Sequence, residues 1–390
     1  PTPPPSCRPR PSNSEQTANL AMHQLLLVSD QPMPNFLPLL SEELRPSAVT
    51  LAVSPQMEQK AGALRREIAS LGIEVRPDLA IGDPSDIALI ERSVIDWLDG
   101  LADDDVSLNL TGGTKPMSIA AQEAFRMAGK PAFYVDIRTD RATFIEPGRD
   151  SIPLVHQPTL GQFFRINGTS VEFHETFVEL PNARWSTLAE TFARDIADWQ
   201  APLGYLSKLA AEAEQDGRLE CGRPREADTV NRWDDLLVEL YGNELTRALD
   251  GRLSFRSSDA RAFCQGIWFE HLVFSRLSAR PFDGRRLWRN VKLLGAGAES
   301  NELEVAALYR NTLYIVECKA RNMTRDGVVD AAVYKLAELA RRSGLRAKGI
   351  LASARPVRDA DKRRAAAYGI EVLDNPTTLD AQFRRLFPGV

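Results

Sequence analysis

Short apolar runs alternate with amphipathic stretches of helical periodicity through the first 150 residues, and this alternation constrains the fold most strongly. It predicts strands separated by helices, which pair in parallel and carry helices on both faces of the sheet. Runs that are apolar throughout, such as Leu25-Leu26-Leu27-Val28, indicate strands covered on both sides. The predicted strands are Gln24–Ser29, Ala48–Val53, Ile73–Arg76, Val106–Leu110 and Ala132–Ile137, and the predicted helical stretches lie around Phe36–Glu43, Gln56–Leu71, Asp86–Asp99 and Met117–Met127.

Two polar loops follow predicted strands of this region, one at residues 29–35 and one at residues 111–118. Ligands of open α/β sheets bind at the carboxyl ends of the strands. A Gly-Gly pair lets backbone N–H groups approach a phosphate, and the N-terminus of the following helix favours an anion. The spacing of a P-loop is absent, so an NTPase is not expected, whereas a strand-to-helix turn without a ligand remains an alternative. The candidate ligand-binding residues are Ser29, Asp30, Gln31, Asn35, Thr111, Gly112, Gly113, Thr114 and Lys115.

The two loops, L-N-L-T-G-G-T-K-P-M-S and V-S-D-Q-P-M-P-N, resemble those of a CARF domain over residues 22–150. CARF domains are Rossmann-like sensors of cyclic oligoadenylates in type III CRISPR defence. The resemblance implies a homodimer whose paired CARF domains hold a cyclic oligoadenylate, usually the tetra-adenylate, across a two-fold axis. A ring of even symmetry matches such an isologous interface. It also implies that the candidate loop residues contact this activator.

The second half of the chain predicts a different unit. Residues 151–256 are expected to form a connector, helical or winged-helix in type, and residues 257–390 a further α/β domain of order α-β-β-β-α-β. The predicted elements of that domain are the helix Ala260–Arg280, the strands Arg286–Leu294, Glu302–Tyr309 and Leu313–Cys318, the helix Gly327–Ser343, the strand Lys348–Ala352, the helix Val357–Tyr368 and the strand Glu371–Leu373.

Two acidic residues and a lysine stand on adjacent strands of this domain. The polar tetrapeptide Tyr309–Thr312 between two apolar runs predicts a hairpin, which would bring Glu304 near Glu317. Strand side chains alternate, so Glu317 and Lys319 share one face while Cys318 points to the other. Two carboxylates and an amine are therefore expected together at the end of an apolar strand.

This combination suits phosphodiester hydrolysis. The reaction needs a cation that neutralises the phosphate and supplies hydroxide, and Mg²⁺ or Mn²⁺ does both with hard oxygen ligands. Glu304, Glu317 and the backbone carbonyl of Cys318 are the candidate metal ligands, and Lys319 would stabilise developing charge or position the water. Glu270, a carboxylate in an apolar helical row, is a further candidate catalytic residue. The alternatives are a solvated ion pair for Glu317 and Lys319, a surface position for Glu304 and an arginine partner for Glu270.

Residues 257–375 resemble the PD-(D/E)xK endonuclease superfamily, which has the same order of elements. Glu304 stands where Asp is commoner, so the preference between Mg²⁺ and Mn²⁺ stays open. With the first resemblance, the chain resembles the CARF–PD-(D/E)xK ancillary nucleases of type III CRISPR systems. That implies metal-dependent cleavage of DNA, RNA or both, activated by the cyclic oligoadenylate.

Charge and composition fit this interpretation. The chain has a net charge of −5, yet residues 251–390 hold 25 Lys and Arg against 15 Asp and Glu, which places the expected polyanion partner at the C-terminal half. Residues 1–21, rich in Pro, Ser and Thr, predict a disordered extension without a secretory pattern. No apolar run is long enough for a membrane span, and the four cysteines show no zinc or disulfide spacing, so a cytoplasmic protein is expected.

Two other functions remain open from the sequence. One is a ligand-responsive nucleic-acid-binding regulator, with its recognition helix within residues 184–250. The other is an ungated repair or restriction nuclease, although no helicase or methyltransferase motif accompanies it.

Overall fold

The computed structural model describes residues 23–101, 105–175, 183–221, 229–249, 252–280, 282, 284–294, 301–321, 327–344 and 346–388. The chain forms two compact units. The first holds the described residues up to Pro158 together with Ile166–Gly168, and the second holds Thr159–Arg165 and the described residues from Thr169 onwards. The extension predicted at residues 1–21 lies outside the described residues.

The first unit is a mixed sheet with a parallel centre, which confirms the predicted Rossmann-like α/β fold. Its strands are ordered β3-β2-β1-β5-β6-β7-β8, with β4 beside β2, and only β7 and β8 run antiparallel to their neighbours. The strands are β1 His23–Leu27, β2 Ala48–Val53, β3 Glu74–Val75, β4 Leu79–Ala80, β5 Val106–Asn109, β6 Ala132–Asp136, β7 Arg141–Phe144 and β8 Ile152–Pro153. The helices are α1 Met33–Phe36, α2 Glu58–Ser70, α3 Ile87–Asp99 and α4 Lys115–Met127.

Every residue of β1, β2 and β5 is buried, as expected of strands covered on both faces. One face packs against α3 and α4 through residues such as Val94 and Phe125. The helix predicted around Phe36–Glu43 is wrong in detail. The chain instead forms the short α1 and a 3₁₀ turn at Leu37–Leu40, because Pro38 cannot donate the N–H that would extend an α-helix. The strand predicted at Ile73–Arg76 shortens to the two residues of β3.

The second unit is built on a six-stranded sheet of order β16-β15-β14-β13-β12-β9. Its strands are β9 Ser170–Glu175, β10 Thr246–Leu249, β11 Arg252–Phe255, β12 Leu287–Leu294, β13 Asn301–Tyr309, β14 Thr312–Lys319, β15 Ala347–Ser353 and β16 Ile370–Leu373. Its helices are α5 Leu160–Ile166, α6 Ala183–Arg194, α7 Ile196–Gln215, α8 Trp233–Gly242, α9 Ser258–Ala262, α10 Trp268–Ser278, α11 Val328–Arg342, α12 Asp359–Ala367 and α13 Leu379–Leu386. The predicted α-β-β-β-α-β order is present from α10 to β15, with α12 and β16 following it.

The residues predicted as a separate connector, 151–256, fall mostly within the second compact unit. Strand β9 pairs antiparallel with β12 and becomes an edge of the second sheet. Helices α6 and α7 bury their apolar faces in the same core as α10, where the rings of Phe192 and Trp268 lie 5.7 Å apart. These residues complete the C-terminal unit, because that sheet needs helices to cover it.

The predicted hairpin at Tyr309–Thr312 is confirmed by the register, in which these two residues pair and leave a two-residue turn. Arg310 and Asn311 at the turn have φ values of 45° and 57°. A two-residue turn with positive φ at both central residues has a backbone twist that matches the twist of the two antiparallel strands it joins.

The single helix predicted over Ala260–Arg280 is interrupted. A π-helical turn at Phe263–Ile267 separates α9 from α10, and within it Gly266 adopts a φ of 150°. Only glycine adopts this conformation easily, and π-helical turns occur often beside functional sites. A Cβ on Gly266 would meet Cβ of Ala320 at 3.4 Å, directly after the last residue of β14. The interruption therefore fixes where α10, with Glu270 in its first turn, begins relative to that strand end.

Within the described parts of the chain, no helix combines the length and apolar character that crossing a membrane requires.

Candidate active site

The sheet of the second unit splits at the predicted site. Strands β13 and β14 pair from Tyr309 to Val305 on one side, and their ladder ends there. Beyond that point β13 stays paired with β12, whereas β14 stays paired with β15 as far as Lys319. The side chain of Glu304 fills the gap, where its Oε2 accepts the backbone N–H of Cys318. The carboxylate thus takes the place of a ladder hydrogen bond.

The ammonium group of Lys319 bonds to each of the residues that were predicted to bind a metal through oxygen. Nζ of Lys319 donates to Oε1 of Glu304 at 3.1 Å, to Oε1 of Glu317 at 2.6 Å and to the carbonyl oxygen of Cys318 at 3.2 Å. The side chains of Glu317, Lys319 and Glu304 are only 5%, 16% and 19% exposed. The structure therefore brings together the four groups that the sequence predicted would converge, and the alternative of a solvated surface pair does not fit this burial.

Burial and charge act in opposite directions on these groups. Burial raises the pKa of Glu304, and the negative charge of Glu317 adds to the rise despite the opposing ammonium of Lys319. Burial also acts to raise the pKa of Glu317, but Lys319 and the hydrogen bonds from two lysines outweigh it and lower that pKa. The pKa of Lys319 is raised, because both carboxylates outweigh the effect of its burial. The cluster is held by mutual neutralisation of buried charges.

Glu270 belongs to the same electrostatic cluster. Burial, followed by the charge of Glu304, raises its pKa to about 8, although Arg289 and Lys319 oppose the rise. A cation held among these carboxylates would favour the ionised form of Glu270. The arginine considered from the sequence corresponds to Arg289, whose charge opposes the rise in the pKa of Glu270.

Three further residues at the site were missed from the sequence. Arg289 on β12 is buried, and its Nη1 lies 2.8 Å from Nδ1 and 2.7 Å from Nε2 of His271. Burial, and then the charge of Arg289, lowers the pKa of His271 to about 3, so its ring is neutral at neutral pH. On α11, Nζ of Lys335 donates to both carboxylate oxygens of Glu317, at 3.1 and 2.9 Å.

A signal for Lys335 was present in the sequence. It follows Ala332 by three residues and precedes Leu339 by four, so it stands in a helical row whose other members are buried. The spacing could show that this lysine faces the sheet, but not which strand it reaches.

The donor set suits a hard divalent cation. Within the described ranges, no three His, Cys, Asp or Glu side chains are grouped closely enough to hold a metal ion by themselves. Mg²⁺, however, is commonly bound by one or two carboxylates, with water and substrate phosphate oxygens completing its shell. Glu304, Glu317 and the carbonyl oxygen of Cys318 could supply such a set, because oxygens of all three lie within 3.2 Å of one atom, Nζ of Lys319.

The loops of the first unit are held by backbone contacts. A Cβ on Gly112 would lie 1.8 Å from the carbonyl oxygen of Leu27, so only glycine fits there. Nδ2 of Asn35 donates to the same oxygen at 2.7 Å, and the Asn35 side chain is fully buried. Asn35, which was predicted to contact the ligand, thus uses its Nδ2 to hold the backbone at the end of β1, next to Gly112.

The threonines of the second loop also have structural partners. The Thr111 hydroxyl donates to Oδ1 of Asn109 at 2.8 Å and accepts the Val135 N–H at 2.7 Å. Thr114 caps the N-terminus of α4, and its hydroxyl donates to the carbonyl oxygen of Pro84 at 2.7 Å. Asn109 was missed from the sequence, although an Asn inside the buried run L-N-L was a signal for it. These contacts fix the backbone of residues 111–114.

The exposed candidates form a smaller set. Ser29 and Gln31 close a local turn, with Oγ of Ser29 donating to the Gln31 carbonyl oxygen at 3.3 Å. Gly113 adopts a φ of 71°, which directs the chain into α4. The candidates whose side chains are exposed are Asp30, Gln31, Thr114 and Lys115.

Family models match both halves of the chain. The family model of the Card1 CARF domain matches residues 24–152, and that of the Card1-like endonuclease domain matches residues 257–382. No curated protein matches the chain.

Several solved structures share the fold across both units. Protein VC1899 from Vibrio cholerae is 24% identical, with a TM-score of 0.84 over 94% of this chain and 97% of that protein. Can2 from Sulfobacillus thermosulfidooxidans, solved in complex with cyclic tetra-adenylate, is 28% identical, with a TM-score of 0.78 and the same coverage of 94% and 97%. A type III CRISPR defence DNA nuclease activated by cyclic oligoadenylate is 19% identical, with a TM-score of 0.58 over 93% of this chain and 51% of that one. The chain therefore belongs to the proteins that join a Card1-type CARF domain to a Card1-like endonuclease domain.

Proposed function

We propose that this protein is a metal-dependent endonuclease that a cyclic oligoadenylate activates in type III CRISPR antiviral defence. The observation that carries the proposal is the buried cluster in which Lys319 bonds to Glu304, Glu317 and the Cys318 carbonyl oxygen at the end of β14. It lies in the domain that matches the Card1-like endonuclease family.

The residues of the cluster divide the work of phosphodiester hydrolysis. Glu304, Glu317 and the Cys318 carbonyl would hold Mg²⁺ or Mn²⁺, which supplies charge neutralisation and a more acidic water when bound. Lys319 remains beside both carboxylates, where its ammonium can stabilise charge that develops on the phosphate. Glu270, ionised when a cation is present, is the group left to orient or deprotonate the attacking water.

The first unit is proposed to bind the activator. Thr114 and Lys115 are exposed at the N-terminus of α4, which favours a phosphate, and Asp30 and Gln31 are exposed in the first loop. Can2, which is 28% identical, was solved with cyclic tetra-adenylate, so the same ligand is the first choice here. Activation then requires that the ligand prefer the arrangement in which the nuclease site is competent.

A homodimer is part of this proposal, because a two-fold symmetric ring is best held by two copies of one loop. Apolar side chains near the loop are exposed on α3 and α4, namely Ile87, Leu89 and Ile119 at 45%, 43% and 57%. Exposed apolar side chains beside a ligand site are what a second copy would cover.

The test is cleavage of labelled DNA and labelled RNA with Mn²⁺, each with and without cyclic tetra-adenylate. Cleavage only when both the cation and the ring are present is the expected result, and comparing the two substrates decides the nucleic-acid class. Equal rates with and without the ring would leave an ungated nuclease. If wild type cleaves neither substrate, and nucleic-acid binding persists in Lys319→Ala and in EDTA, the regulator hypothesis holds instead. The packing of α6 and α7 within the core disfavours that regulator.

A further inference from the structure

Lys335 is the second ammonium group on Glu317, and no step proposed so far uses it. Its Nζ lies 3.1 Å from Oε1 and 2.9 Å from Oε2 of that carboxylate. We propose that the side chain of Lys335 contacts the substrate. While the metal is absent, its ammonium group neutralises Glu317. Once a divalent cation is bound, the ammonium group moves to contact a phosphate oxygen of the nucleic acid. This inference rests on the proposed nuclease function and specifies one of its residues.

Glu317 holds its charge in a nearly buried position. Its side chain is 5% exposed, so leaving its charge uncompensated would be costly, and two lysines compensate it in this structure. A divalent cation bound to Glu317 supplies that compensation itself. Two ammonium groups would then lie next to the cation and repel it, so at least one of them is expected to leave.

Lys335 is the group that can leave. Its side chain is 39% exposed, compared with 16% for Lys319. Lys319 bonds to Glu304, Glu317 and the Cys318 carbonyl, whereas the hydrogen bonds described for Lys335 go to Glu317 alone. The four-carbon stem of a lysine reorients freely while α11 keeps its Cα in place.

The destination follows from chemistry. A lysine binds phosphate as a point charge and needs no fixed hydrogen-bond geometry. A substrate phosphate must lie next to the metal for hydrolysis, within a side-chain length of Glu317, so it is the nearest anion for a displaced ammonium. The same contact serves DNA and RNA, because it reads only the phosphate.

The experiment compares Lys335→Gln and Lys335→Arg with wild type. Arg342→Gln is the matched control, because Arg342 is an exposed cation on the same helix that pairs with Glu338. Mn²⁺ affinity is measured by calorimetry without nucleic acid. Affinity for labelled DNA and RNA is measured by fluorescence anisotropy, once in EDTA and once with Ca²⁺ as the non-catalytic cation, over a range of salt concentrations.

Lys335→Gln is expected to bind Mn²⁺ about three- to tenfold more tightly, because a competing positive charge is gone. It is expected to bind nucleic acid about three- to tenfold more weakly in Ca²⁺, with a salt dependence reduced by about one phosphate contact, and to match wild type in EDTA. Lys335→Arg should retain nucleic-acid binding in Ca²⁺, and Arg342→Gln should change neither affinity.

The two proposals fail in different ways. If wild type binds Mn²⁺ and cleaves, but Lys335→Gln binds Mn²⁺ no more tightly or binds nucleic acid equally well in Ca²⁺, the role given to Lys335 is wrong. Weaker Mn²⁺ binding by Lys335→Gln would likewise overturn it, because that result marks a residue that supports the metal site. If wild type neither binds Mn²⁺ nor cleaves, the nuclease function itself fails.

Discussion

In both units the candidate site lies at the carboxyl end of a strand, but different interactions hold its polar groups there. In the first unit, neutral hydrogen bonds and close backbone packing shape the loops, with Asn35 and Gly112 both fitted against the Leu27 carbonyl oxygen. In the second, the site is a set of buried charges that neutralise one another around Lys319. The first arrangement resists change in shape, and the second resists change in charge.

This difference indicates whether each site would rearrange when its proposed ligand binds. A loop fixed by backbone contacts presents N–H groups and a helix N-terminus without reorganising, which suits recognition of an anionic ring. A cluster of compensated charges must exchange partners when a cation arrives, which suits a site that becomes competent only on binding. Substitutions should therefore act through charge in the second unit and through space in the first.

The largest effect is expected from removing a charge without changing shape. Glu317→Gln deletes a proposed metal ligand and leaves two lysines beside a neutral amide. Cleavage should fall on the order of a thousandfold, as when a preorganised charge-stabilising group is lost from an active site. Activator binding, measured by calorimetry, should equal that of wild type. Loss of activator binding in this variant would contradict the view that the first unit binds the activator independently of the nuclease site.

A steric change in the first unit should come next. Gly112→Ala places a methyl group against the Leu27 carbonyl oxygen, which can only be relieved by moving the backbone. We expect a loss of about 3 kcal/mol in the free energy of unfolding of that unit, together with loss of activator binding. Thermal unfolding followed by ligand titration measures both.

Gly62→Ala provides the control for that experiment. Gly62 lies within α2, and a Cβ there would meet atoms no closer than 3.8 Å, so the variant should be unchanged or slightly more stable. Equal stability of Gly112→Ala and wild type would contradict the view that close packing holds this loop.

A smaller effect is expected at Gly266, where the second unit does depend on shape. Its φ of 150° strains any residue with a Cβ, at a cost of about 1–3 kcal/mol, so Gly266→Ala should displace the start of α10 and with it Glu270. Cleavage should fall by about tenfold, in line with the sensitivity of catalysis to small displacements. Mn²⁺ affinity, which is proposed to depend mainly on Glu304 and Glu317, should change less than the cleavage rate. An unchanged cleavage rate would remove the positioning role given to this glycine.

The smallest effect is expected from an exposed charge in the first unit. Lys115→Ala should weaken activator binding by about three- to fivefold at low salt and less at high salt, because exposed charges are screened. Cleavage at saturating activator should equal that of wild type. A slower rate at saturation would show that Lys115 also takes part in the coupling between the sites.

Local patterns predicted much of this structure. The order of strands and helices, the turn at Arg310 and Asn311, and the approach of Glu304 to Glu317 all follow from periodicity and hairpin register. The buried state of Asn35 did not follow, because a polar residue in a loop looks the same whether it faces a ligand or a backbone carbonyl.

The pairing of strands that lie far apart in the sequence could not be predicted from local patterns. Strand β9 joins β12 across more than a hundred residues, and the split between β13 and β14 appears only when three strands are aligned. Lys335 belongs to the site because α11 packs over β14, which amphipathic spacing does not specify. The distortion at Gly266 places it beside Ala320, just after the end of β14, and the helical pattern of residues 260–280 does not show that this strand end lies there.

The central claim is that Glu304 and Glu317 together bind a divalent cation. Mn²⁺ titration by calorimetry of wild type and of the double variant Glu304→Gln/Glu317→Gln tests it most directly, because the substitutions keep size and remove charge. The account predicts a Mn²⁺ site in wild type that is absent from the double variant, with circular dichroism unchanged. A double variant that binds Mn²⁺ as tightly as wild type would contradict it.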